Sequence, residues 1–252
     1  MNFLTGQILH FDKSYRQTSF QLVSIVRRLI SSQMDGRKLR VGHAGTLDPL
    51  ATGVLTICTG RATRRIEDLQ GHQKEYVAEL RLGATTASFD LEQPIDQTFD
   101  NSHITLALIE EALPKFIGDI RQTPPIFSAC KVNGDRSYDL ARKGRDVKLE
   151  AKPIRIDAIE IEEFKAPDYL RIRVVCGKGT YIRALARDIG EALGSGAHLL
   201  SLRRTRVGNV RVEDCWTLPQ FEAWIKQQHL ETELPDCPVP KNFPTLAPPA
   251  EI

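Results

Sequence analysis

The sequence predicts an α+β fold, because segments of alternating apolar and polar side chains are interspersed with segments of helical periodicity. Residues 154–164 and 169–176 both alternate and lie close enough along the chain to pair as strands. In residues 180–193 the apolar side chains instead recur at helical spacing, so a helix is predicted that ends before Gly194. A chain of 252 residues can bury a sizeable core in one large domain or two small ones.

Capping and apolar patterns in the first half of the sequence predict two helices and two strands. Thr18 and Gln21 form a capping box ahead of an apolar stripe, so the first helix is predicted to begin there. Residues 54–58 predict a buried strand, and residues 76–82 predict a strand with one apolar face. Residues 105–117 predict the second helix.

The second half begins with residues 122–152, which are polar and basic and which we expect to form an excursion from the core. A last helix is predicted over residues 217–228, where Thr217 and Gln220 form another capping box. Six prolines follow Leu234 and exclude a helix there. We therefore expect a C-terminal tail that either lies over the domain or is disordered.

Composition and charge narrow the class of protein. The net charge is only +2, so any basic surface for a polyanionic partner must be local. Five cysteines contain no CxxC pair and follow no signal peptide, so we expect a reducing cytoplasm and no zinc knuckle. No run approaches the roughly 18 to 20 apolar residues of a membrane-spanning helix, so no membrane partner is expected.

The glycine-rich stretch of residues 42–53, GHAGTLDPLATG, carries the candidate for chemistry. Pro49 restricts Asp48 to extended conformations, and the glycines permit a bound chain to approach closely. A carboxylate on such a stiff loop is well placed for chemistry on a ligand. Because an Asp-Pro turn alone is more often ordinary turn chemistry, the spacing by itself leaves both interpretations open.

This stretch resembles the signature of the TruB-type pseudouridine synthases, Gly-His-x-Gly-x-Leu-Asp-Pro-x-Ala-x-Gly, at every fixed position. The likeness continues in the family's order over residues 3–216. It includes Lys74-Glu75-Tyr76 with Leu82-Gly83, residues 124–131 with Gly134 and Tyr138, residues 177–183, and residues 196–204.

The resemblance implies the pseudouridine synthase fold, in which a central mixed, mostly antiparallel sheet is flanked by helices. Residues 1–216 would form the catalytic domain, with residues 122–152 as a thumb-like insertion that grips RNA. Residues 217–252 would form a C-terminal helix and proline-rich tail without a PUA domain. One segment departs from the family pattern, because Ser14 and Arg16 replace a proline and a glycine of the first loop.

The resemblance also implies the activity, which is isomerisation of uridine to pseudouridine in the TΨC loop of tRNA, at position 55 of tRNA numbering. Asp48 would be the catalytic carboxylate, and the resemblance does not choose between attack at uracil C6 and at ribose C1′. A carboxylate serves either role as nucleophile and leaving group without a cofactor. We therefore expect neither a cofactor nor a metal.

Two further catalytic residues follow from the resemblance. Arg183 would pair with the Asp48 carboxylate, although its place on a predicted amphipathic helix also fits a surface arginine. Tyr76 would stack on the flipped uracil and help to move a proton, although its place at a strand start also fits core packing. The remaining substrate-binding candidates are His43, which would fill the space of the extruded base, with Lys131, Tyr138, Tyr181 and Leu202.

The expected partner is the T-arm stem-loop of tRNA, bound by a monomer through shape and phosphate contacts. Arginine and lysine clusters that lie beside the motifs, such as Arg203, Arg204 and Arg206, are candidates for those contacts. Two other functions stay open at this stage. One is the same chemistry on another RNA, and the other is an RNA-binding or RNA chaperone protein that does not catalyse. A carboxylate hydrolase is disfavoured, since residues 41–60 contain no acidic side chain besides Asp48.

Overall fold

The computed structural model describes residues 1–127, 131–132, 135–136, 149–234, 240 and 242–249. It divides the chain into two compact units. Unit 1 comprises residues 1–74 and 203–252, and unit 2 comprises residues 75–202. The predicted domain boundary at residue 216 stays a prediction.

Fourteen strands and five α-helices lie in the described residues. The strands are β1 (Ile8–Lys13), β2 (Val41–His43), β3 (Thr52–Thr59), β4 (Lys74–Leu82), β5 (Ala84–Thr86), β6 (Ile95–Thr98), β7 (Gly118–Gln122), β8 (Lys131–Val132), β9 (Asp135–Arg136), β10 (Lys152–Lys165), β11 (Tyr169–Cys176), β12 (Ala197–Val207), β13 (Val210–Arg211) and β14 (Thr245–Leu246). The helices are α1 (Ser19–Ser32), α2 (Ile66–Gln70), α3 (Leu106–Ala112), α4 (Ile182–Ala192) and α5 (Leu218–Ile225).

Unit 1 is built on β3, which pairs antiparallel with β1 and β2 and parallel with the end of β12. Helix α1 begins at the predicted capping box of Thr18 and Gln21, and its predicted apolar stripe is buried. Helix α5 likewise begins at the predicted capping box of Thr217 and packs Phe221 edge-on against Phe11 of β1. Unit 1 therefore has a mixed sheet covered by helices.

Unit 2 contains β10, which pairs antiparallel with both β11 and β7. The predicted pairing of residues 154–164 with residues 169–176 is thereby confirmed. Helix α4 buries the apolar face that the sequence predicts. The second predicted helix is α3, which tightens into a 3₁₀ turn at Leu113–Phe116 because Pro114 lacks an amide hydrogen. These elements confirm the predicted α+β class.

Residues 243–246 of the C-terminal tail lie against β1 and its neighbours in unit 1. Strand β14 pairs in parallel with β1 at the end of the sheet, and the indole nitrogen of Trp216 donates to the Leu246 carbonyl at 2.8 Å. Phe243 packs on a buried cluster that includes Ile8 and Ala62. The tail thus covers the unpaired edge of β1, which would otherwise expose free backbone groups. In the described part of the chain, no helix is long and apolar enough to cross a membrane.

A buried histidine makes the stability of unit 1 depend on pH. The imidazole of His10 lies 3.0 Å from the Thr56 hydroxyl, and burial, with a smaller effect from His72, lowers the pKa of His10 to about 4. Between pH 4 and 6.5 the unfolded chain therefore binds a proton that the folded chain does not bind.

We expect the free energy of unfolding to fall by about 3 kcal/mol from this group as pH drops from 7 to 4. Urea unfolding across that range measures the loss, and His10→Gln serves as the comparison because glutamine does not titrate. An equally steep pH dependence in the variant would show that His10 does not cause it.

Candidate active site

The loop between β2 and β3 presents Asp48 at a half-buried position. The Asp48 carbonyl accepts a hydrogen bond from the Ala51 amide at 3.1 Å, which closes a turn with Pro49 in its second position. Gly45, near the start of the loop, adopts a left-handed φ of 103°. The turn and the glycine set the backbone on either side of the carboxylate.

Side chains from distant segments hold the residues that flank Asp48. The buried Ser19 hydroxyl donates to the Leu47 carbonyl at 2.8 Å and accepts from the Leu47 amide at 2.9 Å. On the other side, the Lys13 ammonium donates to the Pro49 carbonyl at 3.4 Å. The backbone on both sides of Asp48 is therefore fixed, while the residue itself is partly exposed.

Two buried cations contribute to the electrostatics of this loop. Lys13 is fully buried and also donates to the carbonyls of Ser14 and Gln17 at 3.0 and 2.6 Å. Burial lowers the pKa of Lys13 to about 8, while the negative charge of Asp48 acts in the opposite direction. The site therefore contains a positive charge near the carboxylate that sequence reasoning did not identify.

Arg204 is the second cation, and the prediction that it contacts phosphate is wrong. Its side chain is buried, with only 1% of the residue exposed. The guanidinium donates to the carbonyls of Val54 and Gly45 at 2.7 and 3.1 Å, so it ties β12 to the loop. Arg203, its neighbour, pairs with Asp12 at 2.8 Å.

Gly53, the last glycine of the motif, permits the close approach of β3 to β12. A Cβ at this position would lie 2.1 Å from the Arg204 carbonyl oxygen, and the φ of 103° is itself unfavourable for other residues. We expect Gly53→Ala to destabilise the protein by about 3 kcal/mol, because strain and overpacking add. Thermal or urea unfolding measures the change.

Gly36→Ala is the matched control for this substitution. Gly36 also has a positive φ, 75°, but an added Cβ would meet no atom within 4 Å. The free energy of unfolding of this variant should fall only by the cost of the backbone strain, about 1 kcal/mol. Equal losses in the two variants would contradict the overpacking argument.

His43 lies at the end of β2, before the loop of Asp48. Burial, together with the nearby Arg204 charge, lowers the pKa of the His43 imidazole and so favours its neutral form. Its buried Nδ1 atom has no hydrogen-bond partner among the described residues. A neutral ring suits stacking with a base better than a hydrated cation does.

In unit 2, Arg183 is not a surface arginine. It is the second residue of α4, and only 4% of it is exposed. Its guanidinium donates to the carbonyls of Ser88 and Phe127 at 3.1 and 2.8 Å, and its Nε lies 3.7 Å from the Asp90 carboxylate. The predicted pairing of Arg183 with Asp48, a residue of unit 1, stays a prediction.

Asp90 is a residue that sequence reasoning missed. It is buried, and one carboxylate oxygen accepts hydrogen bonds from the Ser88 hydroxyl at 2.6 Å and from the Glu92 amide at 2.9 Å. These bonds fix the carboxylate that faces Arg183. The local pattern of serine and aspartate two residues apart indicates only a turn, so its distant partner was not detectable.

The other predicted substrate-binding residues of unit 2 lie in different elements. Tyr76 is buried in β4, and Leu202 is half-buried in β12. Tyr181 precedes α4, where its backbone amide and carbonyl both bond to the buried Gln122 amide group, at 2.9 and 3.1 Å. Tyr138 and the side chain of Lys131 lie outside the described residues.

Two family models match the chain in succession. The model of the TruB family pseudouridylate synthase N-terminal domain matches residues 28–182. The model of the tRNA pseudouridylate synthase B C-terminal domain matches residues 183–241. The chain belongs to the TruB family. The resemblance drawn from the loop of Asp48 is thereby confirmed.

Curated proteins of the TruB family align over most of the chain. A tRNA pseudouridine synthase B from Phocaeicola vulgatus is 61% identical and covers 92% of this chain and 98% of its own length. The protein of the same name from Flavobacterium johnsoniae is 47% identical over 89% of this chain and 98% of its own. One from Mycobacterium bovis is 45% identical over 84% of this chain and 70% of its own.

Solved structures confirm the pseudouridine synthase fold of this TruB-family chain. It is similar to a chain in the crystal structure of a Cbf5-Nop10-Gar1 complex, with a TM-score of 0.67 and 29% identity over 89% of this chain. A chain in the structure of an H/ACA RNP bound to a substrate RNA containing 2′-deoxyuridine gives a TM-score of 0.63 and 26% identity over 88% of this chain. The chain spans about half the length of those two chains, 55% and 54%.

Across the described ranges, no three His, Cys, Asp or Glu side chains are grouped so that they could hold a metal ion. The expectation that the reaction needs neither metal nor cofactor stays a prediction.

Proposed function

We propose that this TruB-family protein isomerises uridine to pseudouridine in tRNA, at position 55 in the TΨC loop. The observation that carries the proposal is the geometry of Asp48. Asp48 is half-buried, and Ser19, Lys13 and the turn to Ala51 hold its flanking backbone. Relatives that are 61% and 47% identical to this chain bear the name tRNA pseudouridine synthase B.

A nucleophile held in this way loses little freedom when it reacts, which lowers the barrier to covalent catalysis. An Asp48 oxygen attacks the nucleotide, at ribose C1′ or at uracil C6, and the N1–C1′ bond breaks. The base turns, C5 bonds to C1′, and Asp48 leaves. A proton lost from C5 is matched by one gained at N1, so substrate and product have the same atoms.

The remaining site residues have supporting roles in this proposal. Arg183 pairs with the Asp48 carboxylate and stabilises it in a site from which water is partly excluded. Tyr76 stacks on the uracil and assists proton movement. His43 occupies the space that the base leaves when it is extruded, an extrusion required because a stacked base is inaccessible.

The substrate in this proposal is the T-arm stem-loop, bound by a monomer in the cytoplasm. Shape and phosphate contacts would dominate its recognition, as they do for folded RNA in general. Tyr181 and Leu202 would line the pocket for the base, and Lys131 and Tyr138 would contact the RNA from the insertion.

The deciding experiment is to incubate the protein with an unmodified T-arm hairpin and to map pseudouridine in the product. We expect conversion of the single uridine that corresponds to position 55. A hairpin with cytidine at that position is the control and should stay unmodified. Conversion of a ribosomal RNA fragment but not of the hairpin would replace tRNA by another RNA. Binding without conversion of either would favour an RNA chaperone.

A further inference from the structure

The segment from the end of β1 to the first turn of α1 exposes two aromatic side chains and an arginine. Half of Tyr15 and 70% of Phe20 are exposed, and Arg16 is exposed between them in sequence. The Arg16 guanidinium lies 5.5 Å from the centroid of the Tyr15 ring, within cation–π distance. We call these three residues the aromatic–arginine cluster.

This cluster is attached directly to the loop of Asp48. The Lys13 ammonium bonds the carbonyls of Ser14 and Gln17, on either side of Tyr15 and Arg16, and also bonds the carbonyl of Pro49. Next to Phe20, the Ser19 hydroxyl bonds both backbone groups of Leu47. The cluster and the backbone beside the catalytic carboxylate are therefore held by the same two side chains.

The conformation of Arg16 indicates a role for its side chain. Its φ is 60°, a left-handed value that disfavours residues with a Cβ and favours glycine. Strained residues of this kind are enriched at binding and catalytic sites. Two exposed aromatic side chains only five positions apart in sequence also offer a surface for a partner to cover. Both features therefore point to a ligand for this segment.

The chemistry of the cluster indicates the ligand. Aromatic rings with an adjacent arginine match the flat faces of bases and the charge of the phosphates that join them. The aromatic rings alone would be enough to bind an apolar protein surface. The arginine next to the reaction site instead favours a polyanion. Flipping of a target base also breaks the stack of its neighbours, which leaves their faces free to bind elsewhere.

We infer that the aromatic–arginine cluster binds an unstacked nucleotide beside the target uridine, through stacking on Tyr15 and Phe20 and a phosphate contact to Arg16. This inference rests on the proposed function for its substrate, the T-arm hairpin. It makes the three residues positioning elements for RNA and not catalytic residues, because they act on a neighbouring nucleotide.

Fluorescence anisotropy with a labelled T-arm hairpin tests the inference on the full chain. Tyr15→Ala and Phe20→Ala should each raise Kd by about fivefold or more, as expected for loss of one base-stacking contact. Tyr15→Phe retains the ring and should keep most of the affinity. The matched control is Leu106→Ala, which removes an apolar side chain with a similar exposure, 45%, from α3 in unit 2.

Arg16→Gly separates charge from stacking. It should lower the slope of log Kd against log salt concentration by about one, as for loss of one phosphate contact, whereas Tyr15→Ala should leave that slope unchanged. Relief of the left-handed strain should also raise the melting temperature of Arg16→Gly. Thermal melting of each variant confirms that an affinity change does not come from unfolding.

The outcomes separate this inference from the proposed function. If the hairpin is converted and all variants bind it like the unaltered protein, the inference is wrong while the proposed function stands. If the hairpin is bound but not converted, and Tyr15→Ala and Phe20→Ala weaken binding, the inference stands while the proposed function fails. If the unaltered protein does not bind the hairpin, both are overturned.

Discussion

Asp48→Asn should reduce pseudouridine formation by about 10⁴-fold or more, because the amide is neither a nucleophile nor a good leaving group. The hairpin should still bind, and its Kd should be unchanged or lower, since the carboxylate charge repels phosphate. Single-turnover conversion of the T-arm hairpin measures the rate, and anisotropy measures the affinity. A variant that keeps a few per cent of the rate would contradict the assignment of Asp48 as the nucleophile.

Asp35→Asn is the matched control for this change. Asp35 is exposed, and its φ of 53° is a conformation that asparagine adopts readily. The control should therefore keep the rate and the stability of the unaltered protein.

A second readout of Asp48→Asn is the pKa of Lys13, since loss of the Asp48 charge removes an influence that raises this pKa. The pKa of Lys13 should fall further below about 8 in Asp48→Asn.

Elements whose cause is local could be predicted from the sequence. The capping boxes at Thr18 and Thr217 depend on donors and acceptors three residues apart, so the pattern alone identifies them. The pairing of β10 with β11 follows from alternation in two adjacent segments. Asp48 was identified for another reason, because its loop matches a family signature.

Strands β1 and β12 could not be predicted in this way. Strand β1 is buried along almost its whole length although His10, Asp12 and Lys13 are polar, so the polarity of its side chains did not indicate a buried strand. Strand β12 was missed because its arginines resemble a solvated basic cluster. The burial of Arg204 depends on carbonyls about 150 residues earlier, such as that of Val54. No local pattern contains that information.

The same limit applies to Asp90, whose role is visible only from its contact with Arg183. Arg183→Ala would remove the cation that faces the buried Asp90 carboxylate, together with the guanidinium hydrogen bonds to the carbonyls of Ser88 and Phe127. Because the partner charge stays buried, we expect a loss of about 3–5 kcal/mol in the free energy of unfolding. If Arg183 also pairs with Asp48, pseudouridine formation should fall by about 10²–10³-fold.

Asp90→Asn distinguishes support of the fold from positioning of the arginine. Asparagine can still accept the hydrogen bonds from Ser88 and Glu92, so the turn should remain, but the charge that faces Arg183 is lost. We expect a smaller stability loss, about 1–2 kcal/mol, together with a clear fall in rate at saturating hairpin. Arg183→Lys, which keeps the charge without the planar fork, is the comparison for Arg183→Ala.

A double-mutant cycle of Arg183→Lys and Asp90→Asn tests whether the two residues act as a unit. If Asp90 acts through Arg183, its removal should cost little further rate once the guanidinium is gone, so the single effects should not add. Additive losses in rate would mean that Asp90 reaches the reaction by another route. A third result is that the losses in stability add while the losses in rate do not. That result would mean that the two residues act together in catalysis and that each also stabilises the core.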